Sequence, residues 1–234
     1  VTDRELNLSD IRTVVFDEAD LMIDPGFLPV AKRILGFCPK KVQLVMFSAT
    51  LPIDLEKVAH ELFPSPPVFI RTHGSQQVVD TLTTVNHSII NGRRSNTLIE
   101  LLEKEPVVGT IAFVNTREQL DSVASWLEEE SLSFTIYRGQ MERLDRRANL
   151  KLFRNGDVSV LLTTDLGGRG LDIDRVERVI NVYLPHDIDN YLHRVGRTAR
   201  AGREGLVVNL VTQRDHPLMA KLKKREERRN RSRS

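Results

Sequence analysis

The chain holds a single cysteine, Cys38, in 234 residues. An internal disulfide and a multi-cysteine zinc site are therefore excluded. Cys38 reads as a small, partly buried residue. No apolar run approaches the ~20 residues that span a bilayer. The first residues, Val1-Thr2-Asp3-Arg4-Glu5, have neither an initiator methionine nor a signal-peptide pattern, so the chain is expected to begin in mid-protein. No repeat recurs at a fixed period. The body also lacks excess positive charge. Lys221–Ser234 carries eight basic and two acidic residues, and the other 220 residues carry 26 basic and 30 acidic. A mildly acidic body with a basic tail argues against a protein that coats nucleic acid through an all-over cationic surface. What is present is globular composition, 40% apolar and 28% charged.

Short β-branched runs alternate with longer amphipathic stretches. Thr13–Phe16, Val42–Phe47, Val68–Ile70, Thr83–Ile90, Thr110–Val114, Ser159–Thr163, Arg178–Val182 and Leu206–Val211 read as strands. Several are nearly all apolar, as parallel strands covered on both faces must be. Helical patterns fall near Leu28–Gly36, Asp54–Leu62, Ser95–Glu105, Arg117–Glu130, Arg143–Arg154 and Asp187–Arg194. Thr116 with Gln119 forms a capping-box signature, and Gly156 is placed to end a helix. The alternation predicts an α/β fold with a mainly parallel sheet. Thr72–Asp80 is polar and aperiodic and reads as a linker. It divides the chain into residues 1–72, a linker at 73–80, a second domain at 81–214 and a basic tail at 215–234.

Three strand ends and one helix carry candidate chemistry. The first strand ends in Asp17-Glu18-Ala19-Asp20, where open α/β sheets bind ligands. In nucleotide hydrolases an acid at such a point holds Mg²⁺ and a neighbour positions the attacking water; a solvated acidic turn is the competing reading. The second ends in Ser48-Ala49-Thr50, whose hydroxyls have acids within reach on the adjacent strand end. The third runs Thr163-Thr164-Asp165-Leu166-Gly167-Gly168-Arg169-Gly170-Leu171-Asp172. Glycines permit sharp turns and close backbone approach, and hydroxyls with an arginine suit phosphate oxygens; a plain glycine-rich turn is the alternative. The fourth is His193-Arg194-Val195-Gly196-Arg197-Thr198-Ala199-Arg200. Three guanidiniums in seven residues are costly in a packed core and match phosphate geometry, against the alternative of a solvated basic face.

Taken in order, these four motifs strongly resemble those of the DEAD-box family of ATP-dependent RNA helicases. Phe113-Val114-Asn115-Thr116, the stretch from Gly139 to Arg146, and Val179-Ile180-Asn181 with Leu184-Pro185 extend the resemblance across residues 10–212. It implies an α/β architecture of RecA-like parallel sheets with helices on both faces, the first domain truncated. It also implies ATP and Mg²⁺ as cofactors and single-stranded RNA held through its sugar–phosphate backbone. Asp17 would then engage the Mg²⁺ shell, and Glu18 would orient the hydrolytic water. Asp20, Ser48, Thr50, Gly170, Asp172 and His193 would serve the nucleotide, with Asp172 at the ribose and His193 bridging to RNA. Arg197 and Arg200 would act as arginine fingers. Asn115, Thr116, Arg117, Gly139, Arg146, Thr163 and Thr164 would form the RNA face.

Some family features are missing. No glycine is followed by lysine, so the phosphate-binding loop G-x-x-x-x-G-K-[ST] is absent from these residues, and the chain alone is expected not to hydrolyse ATP. Gly167-Gly168 stands where the family usually has a larger residue and then alanine, and Thr198-Ala199 lies between the fingers. A non-enzymatic RNA- or partner-binding module made of the second domain and tail is the alternative function; a nucleotide-driven motor on DNA or protein is a third. The single cysteine fits a reducing, intracellular compartment without choosing among cytosol, nucleus and organelle, and a monomer with no membrane contact is expected.

Overall fold

The computed structural model describes residues 7–23, 26–48, 51–70, 81–90, 92–139, 141–168, 173, 176–199 and 202–231. The chain divides into two compact units, Val1–Gln77 and Val78–Ser234. Among the described residues no helix is long and apolar enough to cross a membrane.

In the first unit, β1 (Thr13–Phe16) and β2 (Gln43–Met46) pair in parallel, Thr13 opposite Gln43 and Phe16 opposite Met46. Helices α1 (Phe27–Leu35) and α2 (Ile53–Leu62) and a 3₁₀ turn at Ala19–Ile23 pack on this ribbon. Its core is small: Ala19, Met22, Ala31, Leu55 and Val58, rimmed by Phe16, Leu28, Met46 and Leu62. The strand expected at Val68–Ile70 does not form. Its residues are irregular, and Val68 and Ile70 are 87% and 86% exposed. A strand is made by its ladder, and this apolar run finds no neighbour among the described residues. The expected linker at 73–80 lies outside them.

The second unit is a six-stranded, wholly parallel sheet. Its strands are β3 (Leu82–Ser88), β4 (Thr110–Val114), β5 (Phe134–Tyr137), β6 (Val160–Thr164), β7 (Arg178–Asn181) and β8 (Gly205–Val211), in the spatial order β3-β8-β7-β4-β6-β5. Helices α3 (Arg94–Lys104), α4 (Arg117–Glu129), α5 (Arg143–Asn155), α6 (Asp165–Gly168), α7 (Ile188–Val195) and α8 (His216–Arg231) complete it. Alternate residues of β4 point to opposite faces. Ala112 and Val114 meet Leu98 and Leu102 of α3 and Leu120, Val123 and Leu127 of α4. Ile111 and Phe113 meet Phe153 of α5 and Tyr191 and Val195 of α7. The expectation of a parallel α/β sheet covered on both faces is met.

Local signals act as physics requires. The Thr116 hydroxyl accepts from the Gln119 amide, and the Gln119 side chain accepts from the Thr116 amide at 3.3 Å, closing the capping box. Gly156 takes φ 81° and donates its N–H back to α5, a left-handed cap. Three elements escaped the sequence pattern: β5, α6 and α8. β5 has only four residues between helices. α8 begins inside the expected tail, and its Leu218 and Leu222 pack on Leu184 and Val211.

Candidate functional site

In the first unit, β1 delivers the acidic motif where the ribbon ends. The Phe47 amide donates to Phe16 O at 2.8 Å, and the Ala19 amide donates to Phe47 O at 2.9 Å. These bonds bring Asp17 and Glu18 beside Ser48. The exposed Asp17 carboxylate accepts from the Glu18 amide at 2.9 Å. Glu18 has φ 50°, a conformation costing a residue with a Cβ about 1–2 kcal/mol; such strain concentrates at functional sites. The bond expected from Ser48 to an acid does not form: its Oγ is buried with no hydrogen-bond partner among the described residues. Thr50 lies outside them. Asp20 is half-buried in the 3₁₀ turn.

The second unit's site is built on one guanidinium. All six strands run in parallel, so their carboxyl ends emerge along one edge, and α7 crosses that edge. Asp187 caps α7, accepting from the Asn190 amide at 2.7 Å. The inward face of α7 is then Tyr191, Arg194 and Val195, all buried. Arg194 is 1% exposed. Its Nε and Nη2 donate to the two oxygens of Asp165 at 2.5 and 2.7 Å. Nη2 also donates to Asn115 Oδ1 at 2.7 Å, and Nη1 donates to Tyr183 O at 2.6 Å and Asn181 Oδ1 at 3.1 Å. The guanidinium lies 5.2 Å from the Phe113 ring centre. One side chain thus ties together the ends of β4, β6 and β7. The network continues inward: Asn181 Nδ2 donates to Asn209 Oδ1, and Asn209 Nδ2 donates to Asn86 Oδ1, each at 2.8 Å, and to Tyr191 Oη at 3.1 Å.

Other expected site residues surround this hub. Arg197 is 8% exposed, and its Nε donates to His193 O at 3.2 Å. Phe113, Asp165, Gly168, His193, Arg194 and Arg197 line one shallow depression. Asn115 spends Nδ2 on Leu184 O at 2.8 Å as well as Oδ1 on Arg194. Thr163 is fully buried, and its hydroxyl donates to Tyr137 O at 2.6 Å. The Thr164 hydroxyl accepts from the Gly167 amide at 3.4 Å. Thr116, Arg117 and Gly139 are exposed. Arg146 lies with its guanidinium 5.9 Å from the Tyr137 ring centre. Gly170, Asp172 and Arg200 lie outside the described residues.

One sequence expectation needs correction. Arginines of the His193–Arg200 motif are expected to avoid the core, yet Arg194 is in it. The cost of burial is offset by a bidentate carboxylate and three further oxygen acceptors. Arg194 and Asp165 are the site residues that motif reading passes over as ligands. The available signal was helical period: Arg194 stands three residues after Tyr191 and one before Val195, on the apolar face of α7.

The two glycines of α6 have a packing reason. A Cβ on Gly167 would stand 2.7 Å from Tyr137 O, and one on Gly168 would stand 2.6 Å from Phe113 Cε1. Gly168→Ala is expected to destabilise the second unit by about 1–3 kcal/mol. Adding Phe113→Leu, which removes the ring edge, is expected to restore part of the loss. Urea denaturation followed by Trp126, the chain's only tryptophan, measures both; a neutral Gly168→Ala contradicts this packing.

Known proteins share these features. A family model described as "DEAD/DEAH box helicase" matches residues 1–58, and one described as "Helicase conserved C-terminal domain" matches residues 93–202. The DEAD-box ATP-dependent RNA helicase RhpA of Helicobacter pylori is 33% identical over 91% of this chain and 43% of its own length. A probable eukaryotic initiation factor 4A of Trypanosoma brucei brucei is 34% identical over 90% of this chain and 52% of its own. The chain therefore spans about half the length of the curated relatives it matches. Among solved structures, S. cerevisiae Dbp5 bound to RNA and ADP BeF3 superposes with TM-score 0.84 at 28% identity, over 94% of this chain and 58% of that one. The E. coli DEAD-box protein SrmB, bound to regulator of ribonuclease activity A, is 36% identical, with TM-score 0.55 over 59% of this chain and 81% of that one. On its motifs, its parallel sheets and these likenesses, the chain belongs to the DEAD-box helicase family.

Proposed function

We propose that the chain is the part of an ATP-dependent RNA helicase that couples nucleotide state to grip on RNA, and that these 234 residues alone do not turn over ATP. The observation carrying this reading is the gathering of Asn115, Asp165, His193 and Arg197 around the buried guanidinium of Arg194 at the carboxyl edge of the sheet. The Dbp5 structure, with RNA and ADP BeF3 bound, supports both ligand classes.

The donor set fits the implied ligands. A hard divalent cation takes carboxylate oxygens, and Asp17 offers an exposed carboxylate beside the partnerless Ser48 hydroxyl. Bound Mg²⁺ would neutralise phosphate charge during transfer. Glu18 would orient water, and Ser48 and Thr50 would report the nucleotide state to the rest of the chain. Gly170 and Asp172 would seat the ribose. Arg197 and Arg200 would stabilise negative charge on the transferring group. Thr116, Arg117, Gly139, Arg146 and Thr164 would meet RNA phosphates and 2′-hydroxyls. Asn115 and Thr163, whose side chains are engaged inside the sheet, would shape that face from beneath.

The absence of any Gly-Lys pair leaves no phosphate-binding loop in these residues. Incubated with ATP, Mg²⁺ and oligouridylate, the chain is expected to release no phosphate above background. RNA-stimulated release that disappears in Glu18→Gln would overturn this half of the reading. RNA binding without turnover is the behaviour of an RNA-binding module.

The basic end adds a non-specific hold on RNA in this reading. Leu222 packs in the core, so charge is better removed by substitution than by truncation. Lys223→Gln, Lys224→Gln and Arg225→Gln together are expected to weaken RNA binding at low salt and flatten its salt dependence by about two units of log K per log salt. Unchanged affinity and slope would exclude the tether.

A further inference from the structure

Helix α5 carries more exposed charge than the proposed RNA face uses. Its rotation is set by two contacts: Phe153 is buried, and Asn149 Nδ2 donates to Ile136 O at 2.9 Å. The opposite side therefore faces solvent, and it bears Arg143, Arg147 and Lys151, all exposed. Successive members of this row are four residues apart, about 6 Å along the helix. The helix's one acid, Asp145, is more than a quarter turn away from the row. Beside the row runs a second one, Leu144, Ala148 and Leu152, also at a spacing of four and also exposed. Leu144 is 77% exposed. A solvated surface helix has no use for two leucines in line beside a cationic ridge, and such adjoining rows mark a contact.

We propose that the outer face of α5 is a secondary track for single-stranded RNA, continuing outward from the contacts at Gly139 and Arg146. This rests on the RNA reading above and extends its footprint. A single strand presents both required surfaces: phosphates along one edge for Arg143, Arg147 and Lys151, and unstacked bases for Leu144, Ala148 and Leu152. A duplex keeps its base faces stacked and satisfies only the first row. The track adjoins the proposed RNA face, because Arg146 lies on α5 itself and Gly139 follows directly on the end of β5 before it.

The test is fluorescence anisotropy with labelled oligouridylates of about 8 and about 20 nucleotides, across a range of salt. The proteins are the full chain, the triple variant Arg143→Gln/Arg147→Gln/Lys151→Gln, and the double variant Leu144→Ser/Leu152→Ser. All changes are at exposed positions, and circular dichroism checks that each variant keeps its fold. For the triple variant, the longer RNA is expected to bind about tenfold more weakly, with a salt slope smaller by about 2. Its affinity for the shorter RNA should stay within a factor of about two. The double variant should lose affinity for the longer RNA with no change of slope. A triple variant that holds the longer RNA with parental affinity and slope overturns the track, and leaves the two rows to an acidic, apolar protein helix. A parent chain that holds neither oligomer overturns the RNA reading itself, and the track with it.

Discussion

Asp165→Ala is expected to lower the stability of the second unit by about 3–5 kcal/mol, because it strips the counter-charge from a guanidinium that cannot reach water. Arg194 is 1% exposed, and Asp165 supplies its bidentate partner at 2.5 and 2.7 Å. The remaining acceptors, Asn115, Asn181 and the Tyr183 carbonyl, are neutral and carry no compensating charge. Typical domain stability is about 5–15 kcal/mol, so such a loss removes a large fraction of it. Trp126 packs against the second unit's core and reports its unfolding in urea. Asp165→Asn keeps one acceptor, Oδ1, for the guanidinium but turns an NH2 donor toward it in place of the second oxygen and loses the charge, and should fall between parent and alanine variant. The pair Asp165→Leu/Arg194→Met should recover much of the loss, since replacing both ions with apolar groups is often close to neutral. If Asp165→Ala costs less than about 1 kcal/mol, as an exposed pair would, the hub is not what holds the strand ends together.

That hub also marks where sequence reading stops. Motif order marks His193–Arg200 as a functional stretch and assigns Arg197 and Arg200 to phosphate, leaving Arg194 without a role. Which arginine faces inward depends on the phase of α7, which Asp187 sets by capping. It also depends on Asp165 arriving from a different strand. Neither is visible from spacing within the motif. The same holds for Asn86, Asn181 and Asn209, which are distant in sequence but share one register row across β3, β8 and β7. Only strand order brings them together.

The elements themselves were more legible, and their failures have plain causes. Central strands such as β4 are buried along their whole length because both faces are covered, and the apolar run Ile111–Val114 is unmistakable. β5 pairs with one neighbour, β6, and is mostly half-buried, so it lacks the long apolar run that marks a central strand. Val68–Ile70 has the composition of a strand but no partner among the described residues, so composition alone misleads. Gly167 and Gly168 read from sequence as part of a ligand-approaching loop or a plain glycine-rich turn, yet they lie in the first helical turn after β6, with no space for a side chain.

The two units are expected to differ in hydrogen-exchange protection by about two orders of magnitude or more, with the second unit the slower. The second has six parallel strands, two clusters of fully buried side chains and helices on both faces. Opening its central strands requires global unfolding, which slows amide exchange there by about three orders of magnitude or more. The first unit has a two-stranded ribbon of four-residue strands, an arrangement marginal in water without further cover. Its side chains confirm the weakness: Val15 on β1 is 54% exposed and Phe47 is 58% exposed. Its buried set leans on small residues, Ala19, Ala31 and Ala59, which contribute little transfer free energy. Amides of Val14–Phe16 and Leu44–Met46 should therefore exchange within about tenfold of the unprotected rate, while those of Ile111–Phe113 and Val207–Leu210 persist. Equal protection in both units would mean that the β1–β2 ribbon is stabilised by more than its own small core, and would contradict a first unit that these residues alone hold only loosely.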